Sequence, residues 1–242
     1  MALPPTRSVT MRQNSNSWQV LPNPKLSNNA RLPPFTAHTT ASFWCGFRAG
    51  FTSLGDIQKP VSLAILILDL RKELKSRSDP KVAEVSQRFF KHKVKCYGIK
   101  AKDLEIISRK YYQQIKSLDK DSIFSLCEEL FKSGFGEESV VAAKWSYKQN
   151  KLFEKKDIKI FEEWIKNYID DWAKCDSFCN HTVGEYILKY PAQIGVLKRW
   201  AKSKNMWLRR ASVVSLIVPA RKGLFLEESF ELSNTLMGDE ED

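Results

Sequence analysis

The segment IKIFEEWIKNYI, residues 158–169, shows most clearly how this chain folds. Its apolar side chains recur at steps of three and four residues, at Ile158, Phe161, Ile165 and Ile169. An α-helix has about 3.6 residues per turn, so this spacing places all four side chains on one helical face. No run of alternating apolar and polar residues is long enough to require a β-strand. The pattern therefore predicts a helix with one buried face.

Candidate helix starts recur through the chain from about residue 60 onward. They are Asp79-Pro80, Asp103, Asp121, Glu137-Glu138, Pro191 and the segment that begins at Trp207. Acidic residues and proline suit the first turn of a helix, where backbone N–H groups lack partners. Successive starts lie roughly 15 to 22 residues apart, so a helix pair occupies roughly 35 to 40 residues, which is typical of helical-hairpin repeats. We therefore predict an all-α fold, a HEAT-like α-solenoid of stacked antiparallel helix pairs.

The composition divides the chain into three parts. Residues 1–55 contain no Asp or Glu, but they hold twelve Ser or Thr and six of the ten prolines. Such a segment is either an organelle transit peptide or a disordered or leader-like N-terminal extension. In the second case, the extension is either part of the native protein or foreign to it. The helical domain is predicted to span residues 56–237, and an acidic tail follows at 238–242.

The charge balance favours an anionic partner. Lys and Arg number 39 against 28 Asp and Glu, which gives a formal net charge of +11. This excess excludes an acidic, self-solvating disordered protein and favours nucleic acid, phosphate or a lipid surface. The longest apolar run, residues 63–68, is far shorter than the about 20 residues of a membrane span. We therefore expect a soluble protein with no membrane partner.

The cysteines indicate a reducing environment. There are five, and their spacing matches no common zinc or disulfide framework. We therefore expect an intracellular protein, in the cytoplasm or at the nucleoid, with organelle targeting by residues 1–55 as the alternative. Cys175, Cys179 and His181 are close in sequence, but they fit no common zinc pattern, so we predict no metal site.

Two stretches without acidic residues carry much of the positive charge. The first, residues 85–102, holds six Lys or Arg, and the second, residues 186–226, holds nine. On stacked helices each stretch would line one surface and bind a polyanion in a salt-dependent way. The alternatives are that these lysines are simply solvated, or that the second stretch is a membrane-surface helix.

The segment DDWAKCD, residues 170–176, carries the candidate catalytic residues. Trp172 and Asp176 are four residues apart and share a face if the segment is helical. A tryptophan ring attracts a cation by about 0.5–2 kcal/mol, and a carboxylate stabilises positive charge on a sugar as a glycosidic bond breaks. The pair suits hydrolysis of the N-glycosidic bond of a cationic, alkylated purine. Alternatively, Trp172 belongs to the core and Asp176 is the N-cap of a helix through Phe178 and Val183.

Five motifs between Tyr97 and Val218 resemble those of one protein family. They are Tyr97-Gly98-Ile99, Glu137-Glu138 with Trp145, residues 172–176, residues 197–200 (LKRW) and residues 205–211 (NMWLRRA). With these motifs the chain resembles the DNA alkylation repair family, the AlkD-like HEAT-repeat alkylpurine DNA glycosylases. The family places a further aromatic residue on a helix beyond residue 242, so we expect a domain truncated at its C-terminus.

The resemblance implies a role for each matching residue. The family's catalytic aspartate corresponds to Asp176, which would stabilise the oxocarbenium-like sugar. The tryptophan that precedes this aspartate by four residues in the family corresponds to Trp172, which would contact the sugar and the lesion. The damaged nucleotide would stay stacked in the duplex, so no deep pocket is required. The expected DNA-binding residues are Arg210, from the family's W-x-x-R unit, its neighbour Arg209, and Lys202 and Lys204.

These observations predict a monofunctional alkylpurine DNA glycosylase. It would release 3-methyladenine or 7-methylguanine from double-stranded DNA, as a monomer and without a metal or organic cofactor. The alternative is a non-catalytic HEAT-like scaffold that binds nucleic acid or protein. The two interpretations differ in the placement of Trp172 and Asp176, because only the enzyme requires both side chains to face a basic groove.

Overall fold

A computed structural model of the chain describes residues 63–241 and two short strands nearer the N-terminus. The chain divides into two units, Met1–Gly55 and Asp56–Asp242. In the first unit, strand β1 (Gln13–Asn14) pairs antiparallel with strand β2 (Ser17–Trp18). Apart from these strands, the interpretations of residues 1–55 as a leader or extension lie outside the described residues.

Helices make up the regular structure of residues 63–241, which confirms the all-α prediction. They are α1 (Leu63–Ser76), α2 (Pro80–Gln87), α3 (Ala101–Ile115), α4 (Lys120–Lys132), α5 (Gly136–Tyr147), α6 (Asp157–Tyr168), α7 (Trp172–Phe178), α8 (Gly184–Lys189), α9 (Ile194–Trp200), α10 (Met206–Val214), α11 (Ile217–Arg221) and α12 (Leu226–Leu236). Short 3₁₀ turns occupy Asn150–Leu152 and Pro191–Gln193, and a π-helical turn, Cys179–Val183, joins α7 to α8. Within the described residues, none of the helices has the length and apolar character needed to cross a membrane.

Asp79 marks the start of its helix as predicted, whereas Asp103 and Asp121 both lie within the first turn rather than before it. Asp79 caps α2 by accepting a hydrogen bond from the backbone N–H of Lys81 at 2.9 Å. The cap of α4 is Asp119, which accepts from the N–H of Ser122, so the expected start at Asp121 falls two residues late. Asp121 lies instead in the first turn, where its charge suits the helix dipole.

The predicted stripe of α6 is buried, and Phe161 stands at the centre of an aromatic cluster. All four stripe residues of segment 158–169 belong to the hydrophobic core. Five rings contact Phe161, with centroids 5.3–5.9 Å away: Phe124, Phe153, Trp164, Phe178 and Tyr186. These rings come from different helices and loops, so burying them joins the elements into one core. Each fully buried aromatic side chain contributes about 1.5–3 kcal/mol to folding.

Two of the family-like motifs contact each other. The buried carboxylate of Glu137 accepts hydrogen bonds from three successive backbone N–H groups, those of residues 97–99, at 2.8–3.2 Å. The neighbouring carboxylate of Glu138 accepts from the Tyr97 hydroxyl at 2.7 Å and from Arg71 Nε at 3.0 Å. Burial and the Glu138 carboxylate raise the pKa of Tyr97. The two motifs therefore attach the segment that precedes α3 to the first turn of α5.

Gly98 is required at this attachment by its backbone. Its φ is +81°, in the region that favours glycine, and a Cβ atom there would lie 2.2 Å from the carbonyl oxygen of Asp79. We expect Gly98→Ala to lower the free energy of unfolding by about 2–4 kcal/mol, because strain and a backbone clash combine. The matched control is Gly223→Ala, where φ is +76° but no atom lies within 4 Å of the added Cβ. That change should cost about 1 kcal/mol. Urea unfolding measures both, and equal losses would contradict the clash.

Candidate active site

Asp171 starts the helix that carries the candidate site. It has extended backbone angles, and its buried carboxylate accepts a hydrogen bond from the Lys174 backbone N–H at 2.8 Å. Asp171 is therefore the N-cap of α7. The alternative that Asp176 is an N-cap is wrong, because Asp176 lies inside the helix. Trp172 is the first residue of α7, so it shares a helical face with Asp176 one turn later.

The opposite face of α7 is packed in the core. Cys175, Phe178 and Cys179 are completely buried. Trp172 remains 42% exposed, and the Asp176 side chain remains 31% exposed. The alternative in which Trp172 is a core residue is therefore wrong. Both side chains of the candidate pair are therefore partly exposed to solvent.

Arg210 holds the Asp176 carboxylate in a bidentate ion pair. Arg210 Nε donates to Oδ1 at 2.9 Å, and Nη2 donates to Oδ2 at 3.0 Å. Arg210 lies in α10, which begins after Asn205; the Asn205 side chain accepts from the backbone N–H groups of Trp207 and Leu208. Two parallel charge-assisted bonds fix the plane of the carboxylate as well as its position.

A surface cleft of about 530 Å³ lies beside this ion pair. Three segments line it: residues 89–92 after α2, Asp170 and Trp172 at the start of α7, and Met206, Trp207 and Arg210 in α10. The cleft thus brings Trp172 together with cationic side chains from both of the acid-free stretches. Asp176 does not line the cleft itself and adjoins it through Arg210.

The loop after α2 supports the Trp172 ring. The indole Nε1 donates to the backbone carbonyl of Phe89 at 3.3 Å, and the ring of Phe90 stacks on the indole with centroids 5.4 Å apart and planes 21° apart. In the sequence, only the positive charge of this stretch predicted a function, and no role was predicted for either phenylalanine. The adjacent Phe89-Phe90 within a basic run is the signal that could have indicated them.

Arg209 differs from Arg210 in its surroundings. Its guanidinium donates to Asp239 at 2.5 and 2.9 Å and to Glu241 at 2.6 Å. It also donates to the carbonyls of Ser203 and Lys204. The two carboxylates raise the pKa of Arg209. The structure therefore does not bring Arg209 into the cleft, and the acidic segment that begins at residue 238 folds onto the basic stretch.

The two predicted lysines of this stretch lie between α9 and α10. Lys202 and Lys204 are exposed, and neither forms an ion pair with any residue of the described part of the chain. Two other cations of the same stretch are paired: Lys198 with Glu231, and Arg199 with Glu162. The positive charge available to a ligand is therefore smaller than the sequence alone suggests.

The cysteines beneath the site are enclosed. The sulfur atoms of Cys175 and Cys179 lie 3.9 Å apart, and burial raises the pKa of the Cys179 thiol. Burial also lowers the pKa of His181, whose ring contacts that of Tyr147. Within the described residues, no three His, Cys, Asp or Glu side chains are placed to hold a metal ion together.

The fold and the cleft together define a class: helical proteins with an open, cationic surface site that contains an aromatic ring and a carboxylate. A sequence model of the family described as DNA alkylation repair enzyme matches residues 70–242, so the chain belongs to this family. Membership assigns the protein a role in DNA alkylation repair. No match to the chain was found among curated proteins.

Proposed function

We propose that this protein is a monofunctional alkylpurine DNA glycosylase, which hydrolyses the N-glycosidic bond of 3-methyladenine or 7-methylguanine in duplex DNA. One observation supports this proposal most: Asp176 is held by Arg210 one helical turn from an exposed tryptophan that lines a cationic cleft. A non-catalytic scaffold would require neither the exposed ring nor the fixed acid.

The proposed reaction uses charge that the substrate already carries. The cationic purine lies against the Trp172 ring, whose face attracts it. The bond between the purine and C1′ breaks with its electron pair moving to the base, which leaves as a neutral molecule. The sugar becomes an oxocarbenium-like cation, which the Asp176 carboxylate stabilises. Water then attacks C1′, and its proton passes to Asp176 or to solvent.

The placement of Lys174 supports a hydrolytic reaction without a covalent lysine intermediate. Lys174 is the lysine nearest to Asp176 in sequence, and it is buried, donating to the carbonyl of Gly134 at 2.9 Å and to Asp170. The open cleft also suits a lesion that stays stacked in the duplex, although glycosylases commonly flip the base. In this proposal, neither the release of the base nor the attack of water requires a metal or an organic cofactor.

The helix contacts support the HEAT-like architecture in the proposal. Contacts run in series from α1 to α3, α3 to α5, α5 to α7 and α7 to α10, while α4 contacts both α5 and α6. Two rows of helices in alternation are typical of stacked helix pairs. We place duplex DNA along the surface of α10, with Arg210 between the carboxylate and the phosphate backbone and with Lys202 and Lys204 on nearby phosphates.

The cysteines bear on where in the cell the protein acts. The described cysteines are free thiols, which supports an intracellular protein, in the cytoplasm or at the nucleoid. We propose that it acts there as a monomer and with no membrane partner.

We expect Asp176→Asn to lower the rate of base release by about 100-fold or more, because the neutral amide cannot stabilise the sugar cation. Affinity for duplex DNA should change by no more than about threefold. The measurement is the release of 7-methylguanine and 3-methyladenine from a methylated duplex in single turnover. The control is Asp121→Asn, which removes the same charge from the first turn of α4. Unchanged release by Asp176→Asn would refute its catalytic role.

Lys202→Ala and Lys204→Ala should each reduce the salt dependence of DNA binding by about one unit in the log–log slope, because each lysine neutralises one phosphate. Arg209→Ala should reduce it less, since Asp239 and Glu241 already hold its guanidinium. Titrations of unmodified duplex at several salt concentrations measure the slopes. A larger effect from Arg209→Ala than from either lysine would contradict this order.

A further inference from the structure

One side chain closes the loop that supports the Trp172 ring. Gln87 is the last residue of α2; its Nε2 donates to the carbonyl of His92 at 2.7 Å, and its Oε1 accepts from the backbone N–H of Val94 at 3.0 Å. The amide thus uses both its donor and its acceptor on the backbone, and it encloses residues 88–93 in a loop. We call these six residues the Gln87 loop.

The Gln87 loop contacts Trp172 in two independent ways. The carbonyl of Phe89 accepts from the indole nitrogen, and the Phe90 ring stacks on the indole. The rings of His92 and Phe90 meet edge to face, with their centroids 6.3 Å apart, so the loop also packs internally. Trp172 itself is partly exposed at the first position of α7.

The loop also forms part of the cleft lining, through residues 89–92. Phe89 is 69% exposed, so the core does not hold the loop in place through this side chain. Gln87 itself does not line the cleft. Its side chain closes the loop across residues 88–93, and the backbone N–H groups of Phe89 and Phe90 also donate to the carbonyls of Ser86 and Gln87.

We propose that Gln87 is a positioning residue for Trp172: by closing the Gln87 loop, it sets the orientation of the indole against which the cationic base lies. The catalytic part of this proposal rests on the proposed function; the positioning of the ring does not. Without the two bonds the loop has more conformations available, and the indole loses a fixed acceptor and a fixed stacking partner. Small misplacements of a binding group can cost up to about 100-fold in rate.

The test uses Gln87→Met, which keeps the length of the side chain but removes both hydrogen bonds. The control is Lys81→Met, which places the same side chain at an exposed position of the same helix. At saturating enzyme, Gln87→Met should lower the single-turnover rate of base release by about tenfold. Its affinity for the duplex should stay within about twofold, and Lys81→Met should change neither quantity.

Coupling to Trp172 distinguishes positioning from general destabilisation. In a Trp172→Ala background, Gln87→Met should produce no further loss of rate, because the ring that it positions is absent. A full tenfold loss in that background would overturn the proposal, as would an unchanged rate for Gln87→Met in the otherwise intact chain.

A spectroscopic readout tests the positioning without using catalysis. The fluorescence of Trp172 is obtained as the difference between each protein and its Trp172→Phe variant. Gln87→Met should shift this difference spectrum and make it easier to quench with acrylamide, whereas Lys81→Met should not. An unchanged spectrum and quenching would overturn the proposal whatever the activity. If the intact chain releases no base but the spectrum changes, the proposed function fails and the positioning of Trp172 by Gln87 stands.

Discussion

The ion pair between Arg210 and Asp176 is the interaction on which the candidate site depends. The two residues are 34 positions apart in sequence, yet both carboxylate oxygens are bonded to one guanidinium. An unsupported aspartate at the surface would rotate and exchange its partners with water, whereas two parallel bonds fix its plane. The same bonds join α10 to α7 beside the cleft. A carboxylate fixed in this way can stabilise a developing cation without first having to reorient.

The stretch around the start of α5 connects this pair to the rest of the cleft. Its Gly134 carbonyl accepts a hydrogen bond from Lys174 of α7, and its Glu137 carboxylate holds residues 97–99. Residues 97–99 follow shortly after the Gln87 loop, which supports Trp172. The start of α5 is therefore attached both to the segment that follows this loop and to α7, the helix that carries Trp172. The motifs that resemble a repair family therefore include structural contacts as well as candidate catalytic groups.

Periodicity was sufficient to predict the fold in outline, because a helical stripe such as that of residues 158–169 depends only on local spacing. The shared face of Trp172 and Asp176 followed from the same rule. The remaining features of the site depend on contacts between distant residues, which spacing does not encode. The acidic partners of Arg209 come from beyond α12, and the support of Trp172 comes from an irregular loop that the side chain of Gln87 closes.

A double-mutant cycle on base release tests most directly whether Arg210 and Asp176 act as one unit. The four proteins are the intact chain, Arg210→Ala, Asp176→Asn and the double variant, each saturating a duplex that contains 7-methylguanine in single turnover. If the arginine acts on the chemical step by holding the carboxylate, the double variant should release base no more slowly than Asp176→Asn alone. Losses that multiply, so that the double variant falls by the product of the two single effects, would show that the two residues contribute independently.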